Sequence, residues 1–146
     1  MIPRYVKNTL LNFFSFFLIA FSLYIFIALV AYNPGDSGSF NINSNPTIEN
    51  LGGPLGAKIA DFLFTLIGIG AYLVLLIGSV WALQILFFKD PYNSRIKIAI
   101  RLISSVILLT SFCSITEYYF SDNAGGYLGK STFINLSNAL GYIGSL

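Results

Sequence analysis

The segment AGGYLGKS, from Ala124 to Ser131, is the clearest place in this sequence where residue types and spacing could do chemistry. It fits a relaxed form of the pattern in which a glycine-rich loop cradles phosphates and a lysine, here Lys130, reaches them. Such a loop needs a buried strand before it, and an acidic residue on a second strand to position Mg²⁺. An aromatic segment precedes this one and no such strand follows. We therefore predict that it is a false match and that the chain binds no nucleotide.

Two acids and one thiol are the remaining candidates for chemistry. Asp61 could be a proton or ion site, or a helix-start aspartate that binds free N–H groups. Glu117 lies beside a run of tyrosines and is equally well explained as a hydrated acid. The chain has no His, and its one cysteine, Cys113, reads as a small apolar residue inside a membrane span. We assign no catalytic residue, no metal ligand set and no cofactor to this chain.

The composition is that of a membrane protein. Of 146 residues, 55% are hydrophobic and 10% are charged, with a mean hydropathy of +0.75, whereas about 25% of residues are charged in soluble proteins. The net charge is only +2, and the basic residues do not gather into a surface that could follow a phosphate backbone. Direct contact with nucleic acid is therefore not expected, and lipid is the first partner.

Three apolar stretches predict complete spans, at about residues 9–32, 60–88 and 98–119. The first is uncharged from Thr9 to Tyr32 and is longer than the apolar part of a signal peptide, so we expect it to be retained. The third extends back past Arg101, whose stem can run along lipid towards the headgroups. From about residue 133 the chain becomes apolar again, which suggests an incomplete fourth span. We find no repeat of fixed period.

The basic residues predict the orientation of the spans. Six of the eight lie before the first span, or within or beside the segment 89–97, which joins the second and third. By the positive-inside rule, the N-terminus and this inner loop are cytoplasmic, while the loops at 33–58 and 120–134 lie outside. The sequence thus predicts an all-α membrane protein, a helical transmembrane bundle with three complete spans and a truncated fourth.

The first outer loop and the helix after it carry the most informative pattern. Gly56 and Ala60 share one helix face, which permits close approach of a neighbouring helix. From Tyr32 to Tyr72 the residues resemble the N-terminal membrane domain of the FtsK/SpoIIIE family of DNA translocases. Lys58 departs from that pattern, because an apolar or aromatic residue is common there. The residues that carry the resemblance are Tyr32, Asn33, Pro34, Asp36, Asn50, Leu51, Gly52, Gly53, Gly56, Ala57, Ala60, Asp61, Leu63, Phe64, Gly68, Ala71 and Tyr72, with weaker matches at Arg101, Leu102, Gly125 and Gly126.

The resemblance covers residues 1–146 as one membrane domain and implies a function. It implies four spans in the bacterial inner membrane with both ends cytoplasmic, and localisation at the division septum. Implied partners are further copies of the chain and other membrane proteins of the division site. DNA, ATP and Mg²⁺ would be bound only by a hexameric motor that couples chromosome partition to cell division and is absent from this chain. The alternatives are a channel or transporter fragment and, less favoured, a membrane enzyme.

Overall fold

The computed structural model describes residues 4–40, 48–87, 95–120 and 123–144. In these ranges every regular element is an α-helix: α1 (Arg4–Val30), α2 (Gly53–Ile67), α3 (Gly70–Phe87), α4 (Arg95–Phe120) and α5 (Gly126–Gly144). Three segments are long and apolar enough to cross a membrane, namely Asn8–Val30, Gly70–Phe87 and Ile96–Phe120. The predicted all-α membrane bundle is confirmed. Most of the predicted inner loop 89–97 lies outside the described residues.

The three long helices alternate in direction. At one end of α3, the Tyr72 hydroxyl lies 3.4 Å from the carbonyl oxygen of Leu29, close to the end of α1. Towards the other end of α3, Gln84 accepts a hydrogen bond from Arg101, which lies near the start of α4. Helices α1 and α4 therefore run in one direction and α3 runs back between them. We call the end of the bundle where α1 and α4 end the capped end.

The structure corrects the predicted second span, 60–88, because it divides that segment into two helices. Gly68 has φ 55° and ψ −134°, and its N–H donates to the carbonyl of Phe64 at 2.9 Å, which ends α2. Only glycine adopts such a conformation at little cost. Of the two, only α3 is long and apolar enough to cross a membrane, and α2 is a separate helix that begins at Gly53, inside the segment predicted as an outer loop.

The structure also corrects the expectation that the chain has no repeat. All the described glycines with positive φ form two pairs, Gly53 with Gly68 and Gly126 with Gly141, and the partners are fifteen residues apart in both. Each pair opens with the same sequence, NLGGPLG from Asn50 and NAGGYLG from Asn123. The first half of the chain therefore has a turn and a break that recur in the second half.

Helix α5 starts earlier than the sequence predicted. Residues 120–134 were expected to form an outer loop, yet the helix begins at Gly126, directly after the second turn. A non-helical conformation at Gly141, with φ 75° and ψ 165°, interrupts it near its end. The predicted start of a fourth span at about residue 133 thus lies within α5, and the position that corresponds to the start of α3 comes only after Gly141.

The buried core lies at the capped end. Leu29, Ala60, Ile67 and Cys113 bring together residues of α1, α2 and α4, and Ala71 and Leu75 of α3 complete the cluster. Away from this end, large side chains of α1 are exposed, among them Phe13 at 70% and Phe17 at 63%. Exposed phenylalanines on a helix of this hydropathy suit contact with acyl chains.

Candidate interaction site at the capped end

Asn50 joins the end of α1 to the first turn. Its Nδ2 donates to the carbonyl oxygens of Ala28 at 2.8 Å and Ala31 at 3.1 Å, and its Oδ1 accepts the N–H of Gly52 at 2.8 Å. Carbonyls in the last turn of a helix have no partner within the helix, so a buried amide supplies one. The same side chain thereby fixes the turn that opens α2. Tyr24 adds a second link, since its hydroxyl donates to the Gly52 carbonyl at 2.9 Å.

Asp36 binds the residues of the α1–α2 loop that come just before the first turn. Its carboxylate is 5% exposed and accepts the N–H groups of Glu49 at 3.0 Å and Asn50 at 2.9 Å. A buried carboxylate without such donors would carry a large desolvation cost. Because two backbone N–H groups converge on it, Asp36 pins the loop where the chain turns back into the bundle.

Asp61 is not the helix-start aspartate that the sequence allowed, and it has a structural role. It lies well inside α2, which begins at Gly53, so it does not bind the free N–H groups of a helix start. Its carboxylate is 2% exposed, accepts the N–H of Phe40 at 2.6 Å and lies 3.4 Å from the Tyr32 hydroxyl, which donates to it. Burial, and then the negative charge of Asp61, raise the pKa of the Tyr32 phenol. Asp61 thus ties the loop and the end of α1 to α2.

Glu117 performs the equivalent task for the second turn. It is 9% exposed, and its two carboxylate oxygens accept the N–H groups of Asn123 at 3.0 Å and Gly125 at 2.9 Å. In the first turn, the corresponding N–H groups of Asn50 and Gly52 are bound by Asp36 and by the Asn50 side chain. The two turns therefore present the same N–H groups to acceptors from different places in the chain.

This arrangement explains the nucleotide-like pattern at Ala124 to Ser131. The pattern is the second copy of the turn followed by the first residues of α5, and helix α4 precedes it in place of a strand. The N–H of Gly125, within the pattern, and that of Asn123, directly before it, are bound to the Glu117 carboxylate. Lys130 is exposed on α5. The turn that begins α5 is thus bound by the carboxylate of Glu117, near the end of α4.

Small residues on one face of α2 allow it to pack closely on α1. A Cβ added at Gly56 would lie 3.2 Å from the Ala28 Cβ and 2.8 Å from the Asn50 Oδ1, and Ala60 is fully buried. Lys58 is exposed, and its carbonyl accepts the Ser39 hydroxyl at 2.9 Å. The departure from the family pattern at Lys58 thus leaves the packed face of α2 unchanged.

Most of the predicted residues gather around the end of α1. The Tyr32 ring packs against Phe64 with centroids 4.6 Å apart, and Phe64 packs in turn against Tyr72. Asn33 donates to the exposed Glu49, whereas Leu51 is exposed. Buried beside the break are Ile67, Gly68, Gly70 and Ala71.

Sequence reasoning missed three contributors: Tyr24, Asn123 and the clamping role of Glu117. The repeated pattern N-x-G-G-x-L-G would have identified Asn123, and it would also have indicated that a helix starts after it. Nothing in the pattern indicates Tyr24 or Glu117, because both bind backbone groups of a turn, and Tyr24 lies 28 residues before the carbonyl that it binds.

The two halves meet where the second turn packs on the first break. The N–H of Ile69 donates to the carbonyl of Ala124 at 2.8 Å, and the buried Cys113 thiol lies 3.4 Å from the Ile67 carbonyl. An open cleft of about 490 Å³ lies beside this contact, lined by Tyr32, Phe64, Thr65, Tyr127 and Lys130 among others.

Comparison with known proteins gives these features a family. Residues 7–146 match the family described as the 4TM region of DNA translocase FtsK/SpoIIIE. The chain belongs to this family. The resemblance noted from Tyr32 to Tyr72 is thereby confirmed, and the clamped turns lie within an FtsK/SpoIIIE membrane region, which is distinct from the motor.

Individual relatives agree with this assignment. The chain is 32% identical over 114 residues to the DNA translocase FtsK of Vibrio vulnificus; the matched region covers 74% of this chain and 12% of the relative. It is 31% identical over 136 residues to that of Pseudomonas putida, covering 86% and 16%. For Haemophilus ducreyi the identity is 28% over 149 residues, covering 96% and 15%. The chain thus spans less than a fifth of each relative's length. No solved structure matches the chain.

Proposed function

We propose that this chain is the membrane anchor of a septal DNA translocase, and that it places and assembles the protein at the division site of the inner membrane. The observation that carries the proposal is the match over residues 7–146 to the membrane region of proteins named DNA translocase FtsK. Because the chain covers only 12–16% of these relatives, the DNA-handling chemistry belongs to the rest of such a protein. ATP, Mg²⁺ and DNA are accordingly assigned to a motor and not to this chain.

The packing of the bundle supports an anchoring role. Three candidate spans surround a core that lies at the capped end, while apolar side chains over the rest of α1 and α4 face outwards. Such a surface is stable only against lipid or other apolar helices. The orientation that fits the basic residues places the N-terminus in the cytoplasm and the capped end outside.

The capped end offers a surface for division-site membrane proteins. Phe40 and Phe62 stack with centroids 6.0 Å apart, and they are 57% and 45% exposed. The loop that carries Phe40 is fixed by Asp61 through a backbone hydrogen bond, so this aromatic pair is held in place. Exposed aromatic side chains on a rigid support are typical of protein contact surfaces.

A channel or transporter is less favoured by the geometry of the break between α2 and α3. Transport sites in broken helices use free backbone groups at the helix ends. Here the N–H of Gly68 donates to Phe64 and that of Ile69 donates to Ala124. A Cβ added at Gly68 would collide with the Ala124 carbonyl, so the second turn fills the break.

Localisation in dividing cells tests the anchoring proposal. The chain fused at its N-terminus to a fluorescent protein should concentrate at the septum without any motor. A matched variant, Phe40→Ser with Phe62→Ser, should keep its membrane localisation and lose septal enrichment, because only the exposed aromatic pair is changed. Even distribution of the unmodified chain around the envelope of dividing cells would contradict the proposal.

A further inference from the structure

A lysine lies between exposed apolar side chains of α2. Leu55 and Phe62 are 63% and 45% exposed, and Lys58 lies between them on the same helix face, because residues three and four apart are neighbours on an α-helix. Lys58 is exposed as well. Phe40 of the loop, which is 57% exposed, stacks on Phe62 with the ring centroids 6.0 Å apart. We call the surface formed by Phe40, Leu55, Lys58 and Phe62 the lysine surface.

The loop is held against α2 beside this lysine. The Ser39 hydroxyl donates to the Lys58 carbonyl at 2.9 Å, and the N–H of Phe40 donates to the Asp61 carboxylate at 2.6 Å. A Cβ added at Gly38 would collide with the Asp61 side chain, so the loop and the helix are in close contact. The bond at Lys58 uses the backbone, so exchange of its side chain leaves that bond in place. The lysine surface is therefore formed before any partner binds, which lowers the entropic cost of binding.

The acids of the loop and of α2 bind groups other than the Lys58 ammonium. Asp36 and Asp61 are buried and accept backbone N–H groups, and the exposed Glu49 accepts a side-chain amide at 2.8 Å. Residues 41–47, which follow Phe40 in the chain, include no acid. A lysine bordered by apolar side chains, with these acids engaged elsewhere, attracts an anionic group from outside the chain.

The position of the lysine surface along the bundle indicates what can reach it. Gly56, near the start of α2, lies beside Ala28 and Tyr24 of the first candidate span. Phe40, at the other side of the surface, comes after α1 has ended. Lys58 lies between these two levels, near the boundary between hydrocarbon and water. A partner at this boundary needs apolar side chains and an anionic group at the same level.

We propose that the lysine surface binds a partner membrane protein through a carboxylate that is bordered by apolar side chains. The carboxylate pairs with Lys58, and the apolar side chains cover Leu55 and the aromatic pair. This inference rests on the proposed role of the aromatic pair as a contact surface and adds the chemistry of the partner. A charge pair in an apolar contact fixes its register and excludes partners that carry a lysine or arginine at the same place.

A lipid phosphate is the other anionic group at this level. It would bind an exposed lysine of the capped end with or without aromatic neighbours, so it would bind Lys58 and the exposed Lys130 of α5 alike. Only Lys58 lies one helical turn from the stacked pair of Phe40 and Phe62. Fixed, exposed aromatic rings are enriched in contacts between proteins. The geometry thus favours a protein, and Lys130 is the matched control.

Charge variants of the N-terminal fluorescent fusion test the proposal in dividing cells. Lys58→Glu should lower the ratio of septal to lateral fluorescence to that of an evenly distributed membrane protein, because two carboxylates would face each other. Lys58→Arg should keep the enrichment, and Lys58→Met, which keeps only the apolar stem, should give an intermediate ratio. Lys130→Glu makes the same change of charge on α5 and should keep the enrichment. Enrichment that persists in Lys58→Glu would overturn the acidic partner, whereas even distribution of the unmodified chain would contradict the anchoring proposal.

A water-soluble carbodiimide tests for the carboxylate independently of septal localisation. The reagent activates a carboxylate, the Lys58 amine attacks it to form an amide, and the reagent leaves as a urea, so only a lysine and an acid in contact are joined. In isolated membranes the tagged chain should give a cross-linked product that Lys58→Arg removes, since a guanidinium does not couple, and that Lys130→Arg keeps. Absence of a product that depends on Lys58 would overturn the proposal in favour of a lipid phosphate. A product of twice the mass of the tagged chain would overturn it in favour of a second copy.

Discussion

At the scale of single residues, the capped end depends on buried polar side chains that bind backbone groups. Asn50 is the clearest case, because one amide binds the carbonyl of Ala28 in α1, the carbonyl of Ala31 just after it, and one N–H of the turn. Non-helical backbone in the hydrocarbon region of a membrane needs such partners, since lipid offers none. The acids Asp36 and Glu117 do the same for N–H groups, so their place in the fold is explained without any catalytic role.

We expect Asn50→Asp to lower the free energy of unfolding by about 3 kcal/mol, because it removes two donors and sets a carboxylate against the carbonyls of Ala28 and Ala31. Asn135 is exposed on α5, so Asn135→Asp is the matched control and should change the free energy little. Unfolding in mixed micelles of rising SDS content measures both. Equal effects of the two substitutions would show that the amide does not hold the turn.

The phenol of Tyr32 gives the stability a dependence on pH. Its pKa is raised in the folded chain by burial and by Asp61, so folding favours the neutral form. That contribution is complete below the usual tyrosine pKa of about 10 and is lost as pH rises through the higher folded pKa. Tyr32→Phe should therefore flatten the loss of stability above about pH 10. Thermal unfolding of the variant and of the unmodified chain in detergent at several pH values tests this, and parallel pH profiles of the two would contradict it.

At the scale of elements, the glycines decide where helices end. Gly68→Ala should be strongly destabilising, since it adds a backbone strain of about 1–3 kcal/mol and a collision with the Ala124 carbonyl. Gly141→Ala should lower the free energy of unfolding only by the backbone strain, because no described atom lies within 4 Å of the added Cβ. Gly78→Ala, inside α3 with only Ser22 Oγ near, should be neutral or stabilising by up to about 1 kcal/mol. Unfolding midpoints that fail to follow this order would contradict the assigned role of the break.

The first turn should lie within the apolar part of the membrane and not in the water outside it. Gly52 and Gly56 lie beside Ala28 and Tyr24, and Tyr24 is about 9 Å before the end of α1 at a rise of 1.5 Å per residue. We therefore expect Leu51→Cys to react slowly with a membrane-impermeant maleimide on intact spheroplasts, while Ser39→Cys reacts fast. Equal rates would place the turn in water.

The sequence predicted those elements that hydropathy alone determines. α1 and α4 were found because long uncharged stretches have no alternative to spanning the membrane. The break at Gly68 was not predicted, because every residue from Phe62 to Phe88 is uncharged and hydropathy carries no information on φ. Asp36 and Asn50 were found only through the family pattern. Glu117 was left open because its partners are backbone N–H groups, which leave no trace in the residue types.

At the scale of the whole molecule, the two halves have the same order of elements. A long helix rises to the capped end, a clamped glycine turn follows, and a second helix leads to a left-handed glycine. After Gly68 the chain returns as α3 along α1. The family is a four-span region, so the same return after Gly141 would place a span along α4, whose Ile103 and Val106 are each 60% exposed.

Fusions to alkaline phosphatase test the direction of the whole bundle. The enzyme is active only outside the cytoplasm, so a fusion after residue 40, in the loop that Asp61 fixes, should be active. A fusion after residue 93, between α3 and α4, should be inactive, because the helices on either side of it start or end on the side where basic residues concentrate. The reverse pattern would invert the bundle. In that case the capped end would face the cytoplasm, where its aromatic pair could not meet partners outside, and the proposed contact surface would have to be abandoned.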